Sequence, residues 1–398
     1  MTRAAALPCP AAMTRAAALP CPAARTRAAA LPCPAAAARA AALTLLALAS
    51  GCGDDPPQLR PQSTQELGAL RWDPAVAGRD GGYSARVGER TLWVFGDTGG
   101  RTPPGHHGFA NNTACVTPDR DARDGLFPMV EVLDPDGYLL EFLPLTADEA
   151  AYEAEHGDPA RCGDACEGIA LWPGPAVHDP ERDRVLVFYA KLYQRPGYLD
   201  VDVVGTSLAV WDDALTGLAT RPEVAPGSDE PTLLFRPGEL ELASAALVED
   251  DTLLAYACDG DGFDRPCRLA RAPLADPLRR AAWEFHADGA WSSDPREATT
   301  LFQGAPMMTV HFNAHKRVYV ATYAVPGGNE VAVRTAARPE GPWSGEAVVH
   351  EGRTPVTGAS LYGALMHPEY SRDGGRVEYL TYYQVDDGTI DLVEVVWK

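Results

Sequence analysis

Between residues 65 and 398 the apolar positions fall in short runs, and they seldom show the i, i+3, i+4 spacing of an amphipathic helix. The stretch 147–155 is the exception and predicts one helix within an excursion between strands. Elsewhere one unit recurs. A strand of small residues reaches a polar turn and is followed by a strand rich in β-branched and aromatic residues. Tyr83–Val87 turns at Gly88–Arg90 into Thr91–Phe95, and Gly174–Val177 turns at Asp179–Asp183 into Val185–Tyr189. Ala243–Leu247 turns at Glu249–Asp251 into Leu253–Tyr256, and Met307–Phe312 turns at Asn313–Lys316 into Val318–Tyr323. Gly363–Met366 passes Ser371–Gly375 into Val377–Tyr382. Third strands follow in places, as at Glu330–Thr335 and Thr389–Val395. Five hairpin-led units predict an all-β, five-bladed β-propeller over 65–398, each blade a small antiparallel sheet around an axial channel. The small residues of each first strand suit the crowded axis. A large β-sandwich would not explain the fivefold recurrence.

The residues before this domain read as an address. A twelve-residue unit is written at Met1–Ala12, again at Met13–Ala24 and, with one change, at Arg25–Ala36. Such exact repetition reflects duplication in the DNA better than it reflects packed repeats, which drift and run longer. Arg39 then precedes an apolar run to Ala49, closed by Ser50-Gly51-Cys52. A charged start, a short apolar core and small residues before a cysteine form an export signal. The ending resembles a bacterial lipobox, in which Cys52 is lipidated and becomes the new N-terminus. The expected layout is a leader and signal over 1–51, a tether over 52–64 and the propeller over 65–398. The expected location is the bacterial cell envelope, lipid-anchored or secreted.

Charge narrows the partners. The chain carries 34 Lys+Arg against 55 Asp+Glu, a formal −21; without the five leader arginines, 29 cations face 55 anions. Such a surface repels phosphate backbones and gives no basic handle for anionic lipid, so a nucleic-acid partner is excluded and a membrane is met only through the lipid. Of the five cysteines after Cys52, Cys258 and Cys267 flank a Gly/Asp-rich stretch that suits a hairpin loop and are expected to pair. Either Cys162 or Cys166 is expected to bridge Cys115. A zinc site is disfavoured because no histidine falls at ligand spacing, and no cofactor or metal is expected.

Within a blade, the start of the first strand lies beside the end of the second, so residues from these ends share one rim of the channel. They include Asp80, Asp97, Trp172, Tyr189, Lys191, Glu241, Asp259, Met308, Tyr323, Tyr362, Tyr383 and Gln384. Carboxylates with aromatic platforms suit a carbohydrate, whose hydroxyls need polar partners and whose C–H faces stack on rings; glycoside cleavage needs two flanking carboxyl groups. Asp80 and Asp97 sit on the two ends of one predicted hairpin, where close approach would separate their pKa values. Equally, an Asp beside Gly-Gly or in Gly-Asp-Thr can simply cap backbone amides. His311, His315 and His367 are read as hydrogen-bonded strand histidines before ligands of a central ion, and His106-His107 as solvated loop residues.

Gly78-Arg79-Asp80-Gly81-Gly82-Tyr83-Ser84 with Trp93-Val94-Phe95-Gly96-Asp97-Thr98 resembles the opening of a bacterial five-bladed propeller family. That family was long filed as a domain of unknown function and is linked to endo-D-arabinanase activity. Phe109–Ala114, Arg338–Trp343 and His367–Ser371 add to the resemblance, which covers residues 65 to 398. It implies an arabinofuranosidase-like glycoside hydrolase acting on D-arabinan or a related furanose polymer; separately, the protein is expected to be a monomer. Asp80 and Asp97 would be general acid and base in an order left open, and Asn112 a substrate contact. Glu241 is a third candidate acid from position alone. Trp172, Tyr189, Tyr323, Tyr362, Tyr383 and Gln384 are expected to line the substrate. A non-catalytic glycan-binding propeller and a protein-interaction scaffold are the alternative readings, because the fold alone admits both.

Overall fold

The computed structural model describes residues 58–103, 108–157, 166–196, 200–212, 217–353, 358 and 360–398. The leader, Cys52 and Cys162 lie outside the described residues, as do His106 and His107. Five antiparallel sheets follow one another along the chain. Blade one holds Val76–Val87, Arg90–Gly100, Thr113–Thr117 and Val130–Glu131, with Phe109–Ala110 added to its second strand. Blade two holds Gly168–Asp179, Arg184–Gln194 and Val201–Asp212. Blade three is built on Ala245–Glu249, Thr252–Cys258 and Pro266–Pro273, and blade four on Met308–Asn313, Val318–Ala324, Glu330–Ala336 and Ala347–Glu351. Blade five is Tyr362–Met366, Val377–Gln384 and Thr389–Trp397. The five predicted hairpins are thus the inner pairs of the five blades.

The expected tether gives way to structure at Pro61. Pro61–Ala69 is a strand that pairs with Thr389–Trp397 and completes blade five from the other end of the chain. Its burial is almost entirely exposed, so no apolar alternation announces it. Backbone hydrogen bonds place it, and they close the ring by removing the edge of the last blade.

Alternate residues of each central strand face opposite neighbouring blades, and both faces are buried. Leu92 and Val94 pack with Val185, Val187 and Tyr189 of blade two, while Trp93 and Phe95 pack with Tyr379 and Leu392 of blade five. Leu186 and Phe188 turn to Leu253 and Ala255 of blade three, and Leu254 and Tyr256 turn to Met308 and Ala321 of blade four. Val318 and Val320 meet Leu380 and Val393 of blade five. Five such cores explain why the second strands read as continuous hydrophobic runs. Near the axis there is no room for bulk: a Cβ on Gly174 would lie 2.7 Å from the Ala243 carbonyl oxygen.

The excursion between blades one and two carries α1 (Ala147–His156), matching the predicted helix. Thr146 caps it by accepting from the Glu149 N–H, and the Glu149 carboxylate accepts from the Thr146 N–H. The same buried Glu149 pairs with Lys191 at 2.7 Å and with Arg221 at 2.5 Å, which fastens the helix to blade two. Cys258 and Cys267 are bonded across directly opposed strand positions, as expected. Cys115 is not bridged: it is a free, buried thiol beneath the Arg79 guanidinium, and Cys166 is disulfide-bonded elsewhere. The reason is position, since Cys115 faces the core between blades five and one. No helix among the described residues is long and apolar enough to cross a membrane.

Candidate active site

Asp80 lies on the first strand of blade one and Asp97 on the second. The pairing passes from Arg79↔Thr98 to Gly81↔Phe95, so Asp80 alone faces Gly96 and Asp97 across a bulge. The bulge turns both carboxyls out of the regular ladder. Gly96 leaves room for the acid: a Cβ there would lie 2.5 Å from the Asp80 Oδ1 and push that carboxyl aside. Beneath the pair, Arg79 is locked. Its guanidinium forms a bidentate, fully buried pair with Glu131, at 2.8 and 2.9 Å, and lies 3.5 Å from the Phe95 ring centroid. A buried ion pair this well bonded holds the strand start in one position.

Neighbouring blades supply a partner for each acid. The Tyr362 hydroxyl of blade five donates to Asp80 Oδ2 at 2.6 Å, and the Trp172 indole N–H of blade two donates to Asp97 Oδ1 at 3.0 Å. Both aspartates are half-buried. Burial pushes the Asp80 carboxyl upward, opposed by hydrogen bonds from Tyr362 and from the backbone N–H groups of Asp97 and Asp80 itself. Burial also raises Asp97, and the charge of Asp80 adds to that rise; the Trp172 bond acts the other way, and the result is about 7. The environment therefore separates the two acids. Asp80 gathers three donors that oppose its rise, while Asp97 has one donor and the neighbouring charge against it and keeps a proton to near neutral pH. Tyr362 is 36% exposed and its ring lies 4.9 Å from that of Tyr383, which gives an aromatic platform next to Asp80.

The other expected site residues divide. Tyr189, Tyr323, Asn112 and Gln384 are buried. Tyr189 donates to the Thr232 carbonyl at 2.9 Å and Tyr323 to Glu346 at 2.7 Å. Asn112 accepts from the Leu143 N–H at 2.6 Å, and Gln384 donates to the Arg353 carbonyl at 3.2 Å. None of the four is exposed at the mouth, and alternation turns Tyr189 and Tyr323 into the cores between blades. Glu241 is exposed as a residue, although protein surrounds its carboxyl. Burial raises its pKa, Asp259 adds to the rise and Arg265 opposes it; the aspartate pair plays no part. Met308 is likewise core.

The channel below the mouth is a recess of about 270 Å³ bounded by the inner strands, with Tyr83, Ser84, His311 and His367 on its wall. His367 bonds Ser84 at 2.6 Å and Thr381 at 2.8 Å, and His311 bonds Glu378 at 2.8 Å. Among the described residues no group of three or more His, Cys, Asp or Glu could hold a metal ion. Sequence reasoning missed the bonding roles of Tyr362 and Trp172, which were expected only as stacking surfaces. Each is far in sequence from its acid, and only closure of the ring makes them neighbours.

Fold and site together define a five-bladed propeller with a carboxylate pair at one mouth of its axis. Residues 210–385 match a family described as a domain of unknown function, DUF4185, which bears out the resemblance over those residues; Asp80 and Asp97 lie outside the match. No curated protein sequence matches the chain. A crystal structure from Bacteroides ovatus, provisionally assigned as a hydrolase, shares the fold with a TM-score of 0.54 at 15% identity, over 82% of this chain and 86% of that one. A family 117 glycoside hydrolase from Zobellia galactanivorans aligns at TM-score 0.47 and 12% identity, covering 86% and 92%. The α-L-arabinofuranosidase of Podospora anserina aligns at 0.43 and 11%, covering 84% and 95%.

Proposed function

We propose that the protein is a glycoside hydrolase in which Asp97 is the general acid and Asp80 the carboxylate that activates water or attacks the sugar. The observation that carries this reading is the split environment of the pair. One half-buried carboxyl is raised by burial but held back by three hydrogen bonds, and its neighbour, with one such bond, is raised to about 7. Glycoside cleavage asks for two such groups, one to protonate the leaving oxygen and one to act as base or nucleophile. Tyr362 with Tyr383 offers ring faces for sugar C–H groups beside Asp80. The sequence resemblance points to a furanosyl polymer of the D-arabinan type as substrate. We further infer export and lipidation at Cys52 from the leader.

The test is incubation of the protein with D-arabinan, L-arabinan and galactan, following new reducing ends. The wild type is expected to release product from a furanosyl polymer, and Asp80→Asn and Asp97→Asn to lose at least a hundredfold in rate, the lower end of what a positioned acid or base contributes. Undiminished release by both variants would overturn the assignment. Release from none of the polymers would leave a glycan-binding propeller as the better reading.

A further inference from the structure

A second recess, of about 530 Å³, lies between α1 and the rim end of blade two. It belongs to the same face as the acids. Trp172 bonds Asp97, and Ile169 of the recess lies three residues further along the same strand, roughly 10 Å beyond the mouth at strand spacing. Its wall carries Tyr152 and Tyr193, with centroids 5.2 Å apart and planes inclined at 57°. Tyr152 is held in place: His156 stacks on it at 4.1 Å, and its hydroxyl donates to Glu167 at 2.7 Å. The fixed Tyr152 ring, with half-buried Tyr193 against it, presents apolar surface that loses little freedom when covered.

Charge limits what could cover them. Five carboxylates line the recess against two cations, Lys191 and Arg221. Both cations are already neutralised within the wall, Lys191 by Glu149 and Glu230 and Arg221 by Glu149. Arg221 is almost wholly buried and keeps its Nε–H without a partner. Asp148, Glu223 and Asp229 are exposed and offer acceptors for hydroxyl groups. An anionic ligand meets net repulsion, whereas an uncharged polyol chain finds ring faces and acceptors together.

We propose that this recess is a remote binding site for an uncharged glycan chain, holding the polymer beyond the linkage presented to Asp80 and Asp97. The inference rests on the glycan-handling reading of the mouth, but its test uses no catalysis. The Asp80→Asn/Asp97→Asn double variant is run by native electrophoresis through gels containing D-arabinan, galactan or polygalacturonate. Retardation is expected in at least one neutral polymer and not in polygalacturonate. Adding Tyr152→Ala and Tyr193→Ala is expected to weaken that retardation about tenfold or more, the usual effect of removing aromatic anchors. Tyr193→Phe, which keeps the ring, should retain it, and Phe263→Ala, at an exposed ring on another blade, should leave it unchanged. Retardation that ignores both tyrosines, that is absent from every neutral polymer, or that is as strong in polygalacturonate overturns the site. The two readings fail separately. A wild type that releases no product but shows tyrosine-dependent retardation sinks the hydrolase alone. Product release without such retardation sinks the remote site alone.

Discussion

Asp97→Asn probes the electrostatics of the pair without any substrate. Burial, reinforced by the charge of Asp80, raises the Asp97 carboxyl from 3.8 to about 7. A raised acid binds its proton more tightly in the folded state than in the unfolded one. Its contribution is therefore complete below about pH 4 and is lost as pH rises through about 7. A gap of roughly three units corresponds to about 4 kcal/mol surrendered across that window. The asparagine keeps the side-chain shape and an oxygen acceptor for the Trp172 indole but does not titrate. The variant should match the wild type near pH 4 and exceed it above pH 8 by up to about 4 kcal/mol. At about 2 cal/mol/K of unfolding entropy per residue, a propeller of this length gains roughly 5 °C in Tm from that difference. Thermal unfolding of both proteins from pH 4 to 9 at one scan rate reads it directly. Asp80→Asn should narrow the wild-type pH dependence by removing the neighbouring charge. Parallel Tm curves for wild type and Asp97→Asn would refute the claim that the folded site holds a proton on this residue.

The proposed roles make activity fall above about pH 7, as Asp97 loses its proton, and Tyr362→Phe should move the acidic limb upward by withdrawing a donor that lowers the Asp80 pKa. That variant should also cost roughly ten- to a hundredfold in kcat/KM, in line with a hydrogen bond to a charged group, and an unchanged acidic limb counts against the role of Tyr362. Gly96→Ala places a methyl 2.5 Å from the Asp80 Oδ1, the free end of a side chain that can move aside. The expected result is a loss of about a hundredfold in kcat/KM with a near-native Tm, and full activity would mean that the position of Asp80 is immaterial. Cys258→Ala with Cys267→Ala opens a loop of nine-residue separation and should lower stability by about 2.5 kcal/mol in denaturant titration; no change would show that the bridge adds nothing. Deleting 58–69 exposes the Thr389–Trp397 edge and should give unfolded or associated protein by size-exclusion chromatography, whereas a native monomer would show that closure by the first strand is dispensable.

What the sequence determined by itself was the repeating hairpin. Each second strand is buried on both faces and reads as an unbroken apolar run, and each turn carries its own polar signal, so five inner pairs and one helix are visible in local text. The bond between Cys258 and Cys267 was legible for the same reason, since both ends belong to one hairpin. Tertiary structure decided the rest. Pro61–Ala69 is an exposed, polar strand whose place depends on the hydrogen bonds of Thr389–Trp397, and no local pattern encodes a partner at the far end of the chain. Tyr189 and Tyr323 occupy expected rim positions, but the direction of each side chain across the sheet turns them into the cores between blades, and Asn112 and Gln384 are buried as well. Trp172 and Tyr362 became partners of Asp97 and Asp80 only because ring closure sets blades two and five on either side of blade one. Local sequence specifies strands and turns through nearest-neighbour physics, whereas the proton balance of two acids depends on burial and donors contributed by residues distant in the chain.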